Sequence, residues 1–528
     1  MLRGRSGPAC GGDRSATPQQ HARRAWGWAV RSAVVNLARI IDGHDPAQVA
    51  LVSRERQTTY GELREQVAGL RGGLRGLGLE PGDRVALAVP NNRIFVRTYL
   101  AVLGLGCVAV PLNPASPARE LQRELAAIGA KAIVHGPSAT AAVGGLDRSA
   151  LPDLLHVVAA GGEGGALDLA ELQEAAPVAD VDREADDLAV LVFTAGTAGS
   201  PKAAMLTHGN LLANIEQVQQ GSRPFGPADV ALGVLPLFHI FGLNAVLGVT
   251  LAAGGSVVLA ERFDPMRTLD LIVTHGATIV SGAPPMWVAW SGTPGVPADA
   301  FATVRAAVSG ASALSDETVA SFEARFGLRL QQGYGLTEAS PVVTSSGTDG
   351  SPLGSVGRPL PGVEVRLIDA DGIDAELGDQ GELWVRGPNV FAGYWEDAEA
   401  SAHALTEDGW LRTGDVAVAD GAANIWIVDR AKDLIIVSGF NVYPAEVEGV
   451  LLEHPGIDAV AIVGTPHPHA GEAVKAYVVA SAGRHLEEEE VIEFCADHLA
   501  RYKCPSTVTF VDEIPTGMGG KILRRALR

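Results

Sequence analysis

Short apolar runs alternate with amphipathic segments through the first part of the chain. The spacing of apolar residues predicts helices over 60–76 and 93–103, and unbroken apolar runs predict strands over 84–89 and 108–112. Further strand-like runs, separated by helical segments, occur at 132–134, 257–259, 278–281 and 304–308. Such alternation predicts α/β layers built on buried sheets.

The residue pattern changes after Gly354, where glycine and proline become frequent between short predicted strands such as 363–368 and 381–385. This pattern predicts a β-rich subdomain. A compact unit follows Arg430, with strands predicted at 434–437, 459–463 and 473–479 and helices at 445–452 and 487–499. We therefore expect a large N-terminal domain of layered α/β sheets with a small β-rich subdomain, then a small C-terminal α+β domain, with a boundary near 429–433.

The stretch 230–260 contains no Asp, Glu, Lys or Arg, which at first suggests a membrane span. Pro236, His239, Asn244 and several glycines interrupt it, however, and no basic flank supports insertion. We predict a buried strand–helix–strand segment here and no integral membrane segment.

Composition and charge narrow the classes of function. A chain of 528 residues is long enough for more than one domain, and its formal net charge of −20 argues against nucleic acid as a partner. The four cysteines show neither paired nor metal-type spacing, which fits a reducing, cytoplasmic location. Residues 1–30, rich in Arg, Gly, Pro and Ser, are expected to form a disordered extension.

The stretch from 188 to 208 carries the clearest chemical signal. A buried strand is predicted at 188–193, and Thr207 is predicted to cap a following helix. Between them lie hydroxyl, glycine and lysine residues that can form an anion-binding turn, namely Thr194, Gly196, Thr197, Gly199, Ser200 and Lys202. The pattern differs from a P-loop, in which Lys follows Gly directly. Taken alone, it is equally compatible with a flexible surface loop.

Four further clusters are weak separately. Tyr334, between Gly333 and Gly335, offers a face for a purine, and Thr337 and Glu338 offer oxygen ligands to Mg²⁺. Asp415 follows a glycine turn and could hold a ribose diol, although such a sequence is more often only a turn. The charged segment 429–433 and Lys521 near the C-terminus would ordinarily be solvated.

The clusters are more specific together, because they occur in one order from about residue 45 to the end of the chain. They read TAGTAGSPKAAMLTHGN, PLFHIFG, GYGLTEAS, GWLRTGD, DRAKDLIIVSGFNVYP and GGKILRR. In this combination the chain resembles the adenylate-forming superfamily, which includes AMP-dependent acyl-CoA synthetases and fatty-acid–CoA ligases, aryl-CoA ligases, luciferases and peptide-synthetase adenylation domains.

The resemblance implies a two-step ligase that uses ATP, Mg²⁺ and CoA. A carboxylate attacks the α-phosphate of ATP to give acyl-AMP and pyrophosphate, and a thiol then displaces AMP. The implied organisation is a large N-terminal adenylation domain at 31–429, a hinge at 430–433 and a small mobile C-terminal domain at 434–528.

The resemblance also implies roles for individual residues. The residues with catalytic roles would be Lys521, Glu338, Thr337 and His239. Glu338 and Thr194 would bind the metal. Lys521 would bridge the carboxylate and the α-phosphate, and Lys432 matches the hinge about which the C-terminal domain rotates. The nucleotide and CoA group would comprise Thr194, Gly196, Thr197, Gly199, Lys202, Gly310, Ala311, Gly333, Tyr334, Gly335, Asp415, Arg430, Lys432 and Gly439.

The chain departs from the family pattern in two places. Ala195, Ala198 and Ala203 replace two hydroxyl residues and a glycine in the phosphate loop, so the strength of the phosphate grip is in doubt. Gly519 stands where Ser or Thr is common before Lys521, which would loosen that loop.

An acyl pocket is expected among small and apolar residues, and no acidic residue stands among them to bind an amino group. They are Phe238, His239, Leu243, Ser281, Gly282, Ala283, Gly310, Ala311, Gly333 and Val342. This composition favours a medium- or long-chain fatty acid, and the absence of an extra block between Glu338 and Gly409 favours CoA as acceptor. An aryl- or other carboxylate–CoA ligase, an enzyme loading a carrier protein, and a non-catalytic nucleotide binder remain alternatives, and a homodimer remains open.

Overall fold

The computed structural model describes residues 35–161, 166–195, 201–222, 224–312, 314–347, 351–369, 371–430, 435–481 and 484–515, with 522, 524 and 527. Within these residues the chain forms four β-sheets, three before residue 431 and one after it. The expectation for 1–30 lies outside the described residues. The domain limits 31–429, 430–433 and 434–528 stay predictions.

A seven-stranded sheet carries the predicted phosphate turn near one edge. It is parallel except for its last strand, and its spatial order is Leu167–Asp168, His156–Ala159, Ala132–His135, Arg84–Ala88, Val108–Pro111, Leu188–Ala195 and Pro201–Thr207. Parallel strands need crossover connections, which explains the helices between them.

A nine-stranded sheet forms the second layer of the large domain. Its spatial order is Arg358–Pro359, Val342–Ser345, Leu330–Gly335, Ala306–Ser309, Ile279–Gly282, Val230–Gly233, Ser256–Leu259, Val49–Ser53 and Arg56–Thr59. Strands from Leu330–Gly335 through Val49–Ser53 run parallel, so their carboxyl ends meet at one edge.

The two helices predicted from periodicity in the large domain are present with nearly the predicted limits. The helix Tyr60–Gly76 begins at Thr59, which makes a capping box with Glu62. The helix Arg93–Gly104 is buried almost all round. The remaining α-helices before residue 431 are Ala118–Ala127, Thr140–Gly144, Leu169–Gln173, His208–Gln219, Val249–Ala252, Pro265–His275, Pro284–Gly292, Asp316–Phe326 and Ala398–Ala404, with a π-helix at Phe241–Gly248.

Around the phosphate turn the structure adds a strand that the sequence reading did not contain. Residues Pro201–Thr207 pair antiparallel with Leu188–Ala195, so that Lys202 lies opposite Thr194. The small, apolar residues after Lys202 allow this strand to be buried against its neighbour. The helix His208–Gln219 then begins at Thr207, whose side chain accepts from the Asn210 backbone amide, as predicted.

The uncharged stretch folds as a strand, a helical segment and a strand, which confirms the prediction for 230–260. Its elements are Val230–Gly233, Phe241–Gly248, Val249–Ala252 and Ser256–Leu259. Among the described residues, none of the helices combines the length and the apolar character needed to cross a bilayer.

The last two sheets are the predicted β-rich subdomain and the C-terminal domain. The four-stranded antiparallel sheet has the order Glu364–Ile368, Gly381–Arg386, Leu411–Ala419 and Ile425–Arg430. The C-terminal sheet has the order Phe440–Val442, Ile435–Val437, Gly471–Ala480 and Ile457–His467, with Thr507–Phe510 also paired to Gly471–Ala480. Its helices are Pro444–Leu451 and Glu488–Ala496, and a 3₁₀ turn lies at Arg501–Lys503.

Candidate active site

The phosphate-turn residues lie at the end of a buried hairpin. Thr194 closes the first strand and its hydroxyl donates to the Lys202 carbonyl oxygen at 3.3 Å. Across the strand pair, the Lys202 ammonium lies 3.5 Å from Asp397 Oδ2 and 5.4 Å from the centroid of the Tyr394 ring. Gly196, Thr197 and Gly199 lie outside the described residues.

Glu338 is held by the hydroxyl of Tyr394, whose ring lies near Lys202. It lies on the 3₁₀ turn Thr337–Ala339, and its Oε1 accepts from the Tyr394 hydroxyl at 2.6 Å. Burial, reinforced by the Glu338 carboxylate, raises the pKa of Tyr394, so the hydroxyl stays protonated and donates. The turn itself is anchored because the Phe391 amide donates to the Glu338 carbonyl oxygen at 2.9 Å.

Tyr394 and Asp397 were missed by sequence reasoning. Tyr394 lies within an aromatic and glycine-containing segment, FAGYW, and Asp397 follows that segment, which was the available signal. Asp397 caps the helix Ala398–Ala404 by accepting from the Ala400 amide, which leaves its Oδ2 directed to Lys202. The two residues therefore link Lys202 to Glu338.

The residues predicted to hold adenine and ribose meet across two sheets. The Tyr334 hydroxyl donates to Asp415 Oδ2 at 2.7 Å, which fixes the orientation of both side chains. Asp415 lies directly opposite Arg430 in the pairing of their strands. Gly333 and Gly335 flank Tyr334 on the strand Leu330–Gly335, as the motif requires.

His239 lies in the cleft between the two domains. Burial lowers the pKa of His239 to about 4, so the imidazole is neutral near pH 7. The Phe241 amide donates to Nδ1 at 3.3 Å, which assigns the ring proton to Nε2. The walls of this cleft include Thr194 and Thr337 from the large domain and Phe440, Tyr443 and Lys503 from the C-terminal domain.

Aromatic side chains cover the small residues expected to form the acyl pocket. A Cβ placed on Gly310 would lie 2.9 Å from Cε1 of Phe241, and one placed on Gly282 would lie 3.2 Å from Cζ2 of Trp287. Rings therefore pack directly against these two glycines.

The C-terminal domain contacts residues of the expected acyl pocket through Gly439. At φ +87° this residue takes a left-handed conformation that favours glycine, and a Cβ there would lie 2.7 Å from Cβ of Ala283 and 4.0 Å from Cβ of Ala311. The next residue, Phe440, faces Phe238 with the two ring centroids 6.1 Å apart. Lys432 and Lys521 lie outside the described residues.

The described side chains supply only some of the oxygen ligands that a bound Mg²⁺ would need. No group of three or more His, Cys, Asp or Glu side chains with metal-binding geometry occurs in the described part of the chain. Glu338 nevertheless provides a hard carboxylate, and Tyr394 occupies one of its two oxygens. The residues therefore fit a cation held by one carboxylate together with oxygens of a bound nucleotide.

Comparison with known proteins establishes what this architecture is. The family model described as AMP-binding enzyme matches residues 42–395, and the model described as AMP-binding enzyme C-terminal domain matches residues 446–521. Together with the sheets and the cleft between a large and a small domain, these matches define an adenylate-forming enzyme. The chain belongs to the AMP-binding enzyme family.

Individual relatives cover nearly the whole chain. A feruloyl-CoA synthase from Amycolatopsis sp. is 39% identical, over 89% of this chain and 93% of that protein. A long-chain-fatty-acid–CoA ligase from Yersinia pestis is 36% identical, over 91% of each. The solved structure of the amide bond synthetase McbA from Marinactinospora thermotolerans superposes with a TM-score of 0.85 at 34% identity, covering 94% of this chain and 99% of that one. The chain is an AMP-forming acid–thiol ligase that uses ATP, Mg²⁺ and CoA.

Proposed function

We propose that this ligase converts a compact aromatic carboxylic acid, of the arylpropenoic class, into its CoA thioester. The observation that carries the proposal is the packing of Phe241 against Gly310 and of Trp287 against Gly282, two glycines expected to line the acyl pocket. A planar acid can stack against such rings, whereas a long alkyl chain needs open volume there. The feruloyl-CoA synthase named above supports the same substrate class.

A medium- or long-chain fatty acid, which the sequence favoured, is the second candidate. The fatty-acid ligase from Yersinia pestis supports it at slightly lower identity. The apolar walls of the pocket, such as the buried Leu243, also suit an alkyl chain. The two substrate classes differ in the space that they need beyond Phe241.

In the first step, the residues of the large domain bind and orient the nucleotide. Tyr334 stacks on adenine, while Asp415 and Arg430 hold the ribose. The phosphate oxygens are held by the turn residues Thr194, Gly196, Thr197, Gly199 and Lys202. Glu338 and Thr194 would hold Mg²⁺, which would supply positive charge to the phosphates. Lys521 stabilises the oxygens where carboxylate meets α-phosphate.

In the second step, the C-terminal domain presents the loop 438–440 to the acyl site in place of Lys521. The contact of Gly439 with Ala283 and Ala311 supports an arrangement in which the loop 438–440 lines the path of the CoA thiol. The thiol releases its proton to solvent and its sulfur bonds to the acyl carbon. The bond between that carbon and the phosphate oxygen breaks, and AMP leaves with the bonding electron pair. Neutral His239, whose Nε2 carries the proton, donates towards the acyl or phosphate oxygens in the cleft.

We also infer a cytoplasmic location, which the free thiols of Cys107, Cys495 and Cys504 support, since disulfides are rare in that compartment. A homodimer stays a prediction.

The substrate class is tested by replacing the ring that closes the pocket. Wild-type enzyme is expected to release pyrophosphate and form thioester with ferulate or 4-coumarate at a kcat/KM at least about tenfold above that for octanoate or palmitate. Phe241→Ala should shift this ratio towards the alkyl acids by about tenfold or more, because it opens volume over Gly310.

The matched control is Phe263→Ala, which removes a ring that packs on Trp290 in the interior of the large domain. It should lower stability without changing the ratio. A wild-type preference for palmitate over every aromatic acid would reject the aromatic class in favour of the second candidate.

The hydroxyl that holds Glu338 provides a second test. Tyr394→Phe removes a hydrogen bond to a carboxylate, so adenylation is expected to fall by about 10- to 100-fold, with a higher Mg²⁺ requirement. Tyr60→Phe is the control, because it removes a buried tyrosine hydroxyl bond to the Gly255 carbonyl oxygen at 2.8 Å. If both variants showed an unchanged Mg²⁺ dependence, Tyr394 would have no part in placing Glu338.

A further inference from the structure

Four buried charged side chains join the C-terminal domain to the large domain, and none of them has a role in the chemistry above. Glu120 and Glu124 lie on the helix Ala118–Ala127 of the large domain, with 3% and 8% of their surface exposed. Glu446 and Lys503 belong to the C-terminal domain, with 1% and 7% exposed. Charged side chains are rarely this buried unless they are paired.

Lys503 connects the two domains directly. Its ammonium donates to Glu446 Oε1 at 2.9 Å within its own domain, and to Glu120 Oε1 across the interface. The second oxygen of Glu120 accepts from the Ala500 amide at 2.8 Å. One carboxylate of the large domain therefore satisfies two donors of the C-terminal domain.

The same helix face makes further contacts with the C-terminal domain. Arg119 contacts the ring nitrogen Nε2 of His498, and Arg123 donates to the His498 carbonyl oxygen at 3.2 Å. Burial and the neighbouring Glu120 raise the pKa of Glu124 well above its usual value. Burial opposes the charge on Lys503, but Tyr502 and the surrounding carboxylates outweigh it and raise its pKa.

The buried pair is connected to the acyl site by stacked rings. Tyr502, next to Lys503, stacks on Phe440 with ring centroids 4.5 Å apart, and Phe440 stacks on Phe238. Gly439, next to Phe440, is the residue that contacts Ala283. Because these groups are in mutual contact, the position of Lys503 constrains that of the loop 438–440.

We propose that Lys503 and Glu120 are positioning residues for thioester formation, because their buried pair holds the C-terminal domain where the loop 438–440 meets the acyl site. This inference rests on the proposed two-step function, in which the C-terminal domain changes its arrangement between the steps. The pair spans the two domains, so it exists only while they are arranged as in this structure. Removing one partner of a buried ion pair leaves an uncompensated charge. Loss of either residue should therefore destabilise this arrangement of the two domains.

The two half-reactions separate this role from a catalytic one. With Lys503→Met or Glu120→Gln, pyrophosphate release from ATP and acid should stay within about twofold of wild type, since adenylation does not use this arrangement. Conversion of supplied acyl-AMP and CoA into thioester should fall by about 10²- to 10³-fold, as expected when one side of a buried ion pair is removed. The double variant Glu120→Met/Lys503→Met should lose less than the product of the two single losses, because residues that act as a pair are not additive.

Lys131→Met is the matched control, since this lysine pairs only at the surface, 3.4 Å from Asp153. It should leave both half-reactions unchanged. Equal losses in both half-reactions for Lys503→Met, or none in either, would overturn the proposal.

Hydrogen exchange of the full-length protein tests the pair without using catalysis. In Lys503→Met, amides of Ala118–Ala127 and of Ala500 should exchange faster than in wild type, while the interior strand Gly471–Ala480 should keep its protection. Faster exchange throughout the C-terminal domain would identify Lys503 as a general folding residue and reject the proposal. If wild-type enzyme released no pyrophosphate with any acid, the proposed function would fail, whereas unchanged exchange at the interface would reject the pair itself.

Discussion

Lys521→Ala is expected to stop the first half-reaction and spare the second. If Lys521 stabilises the oxygens where carboxylate meets α-phosphate, its loss removes an electrostatic contribution of roughly 3–4 kcal/mol, or about 10²–10³ in the rate of acyl-AMP formation. Thioester formation needs no such charge. Supplied acyl-AMP and CoA should therefore react at nearly the normal rate.

Two described residues beyond Lys521 in the sequence, Arg524 and Leu527, are bonded to the C-terminal domain. Three residues further on, Arg524 Nη2 donates to both carboxylate oxygens of Glu448 at 2.7 Å, and the Tyr477 hydroxyl donates to the Leu527 carbonyl oxygen at 2.7 Å. Because these two residues are held by that domain, we expect Lys521 to move with it. We therefore expect two orientations of the C-terminal domain. One places Gly439 against Ala283, and the other brings Lys521 to the phosphates.

Lys432→Pro supplies the converse variant. A stiffened hinge should permit acyl-AMP formation but stall thioester formation, because the domain cannot rotate. Pyrophosphate release and thioester formation are measured separately on each variant. Equal damage to both steps in Lys521→Ala would argue against alternation and make Lys521 a structural or general binding residue.

Glu338→Gln is expected to abolish Mg²⁺-dependent activity and leave the fold intact. If the carboxylate is the hard ligand of Mg²⁺, losing its charge weakens a metal contribution of several kcal/mol, so pyrophosphate release should fall by about 10²-fold or more. The amide can still accept the Tyr394 hydroxyl, so local structure should persist. Initial rates over a range of MgCl₂ concentrations, with thermal unfolding in parallel, measure both effects.

Glu364→Gln is the control for this variant, because Glu364 pairs with Arg386 at a partly exposed site of the β-rich subdomain. It should leave the Mg²⁺ dependence unchanged. Near-normal pyrophosphate release by Glu338→Gln would show that another residue serves the metal.

Much of the architecture could be predicted because its signals are local. The helix Tyr60–Gly76 was expected over the same residues, and its start depends on Thr59 and Glu62, which lie within one turn of each other. Burial of short apolar runs in parallel sheets likewise needs no knowledge of distant residues. The candidate site could be predicted through its motifs, which occur in family order.

Other parts of the site depend on contacts between segments that are far apart in sequence. Tyr394 reaches Glu338 across 56 residues, and this bond depends on the strand pairing that brings the two loops together. The hairpin strand Pro201–Thr207 was missed because a proline, a lysine and small residues give no strand pattern of their own. The ring of Phe241 over Gly310 follows from the packing of a π-helix on the central strands.

The sequence by itself determined the layered α/β class, the limits of helices such as Tyr60–Gly76 and Arg93–Gly104, and the family of the chain, because periodicity, caps and each motif are local signals. Only the tertiary structure decided which surfaces meet. Lys503 and Glu120 are 383 residues apart, and each alone reads as a solvated surface charge. Their burial as a pair requires one orientation of two domains, and a hydrogen-bonded ion pair depends on that orientation to within an ångström.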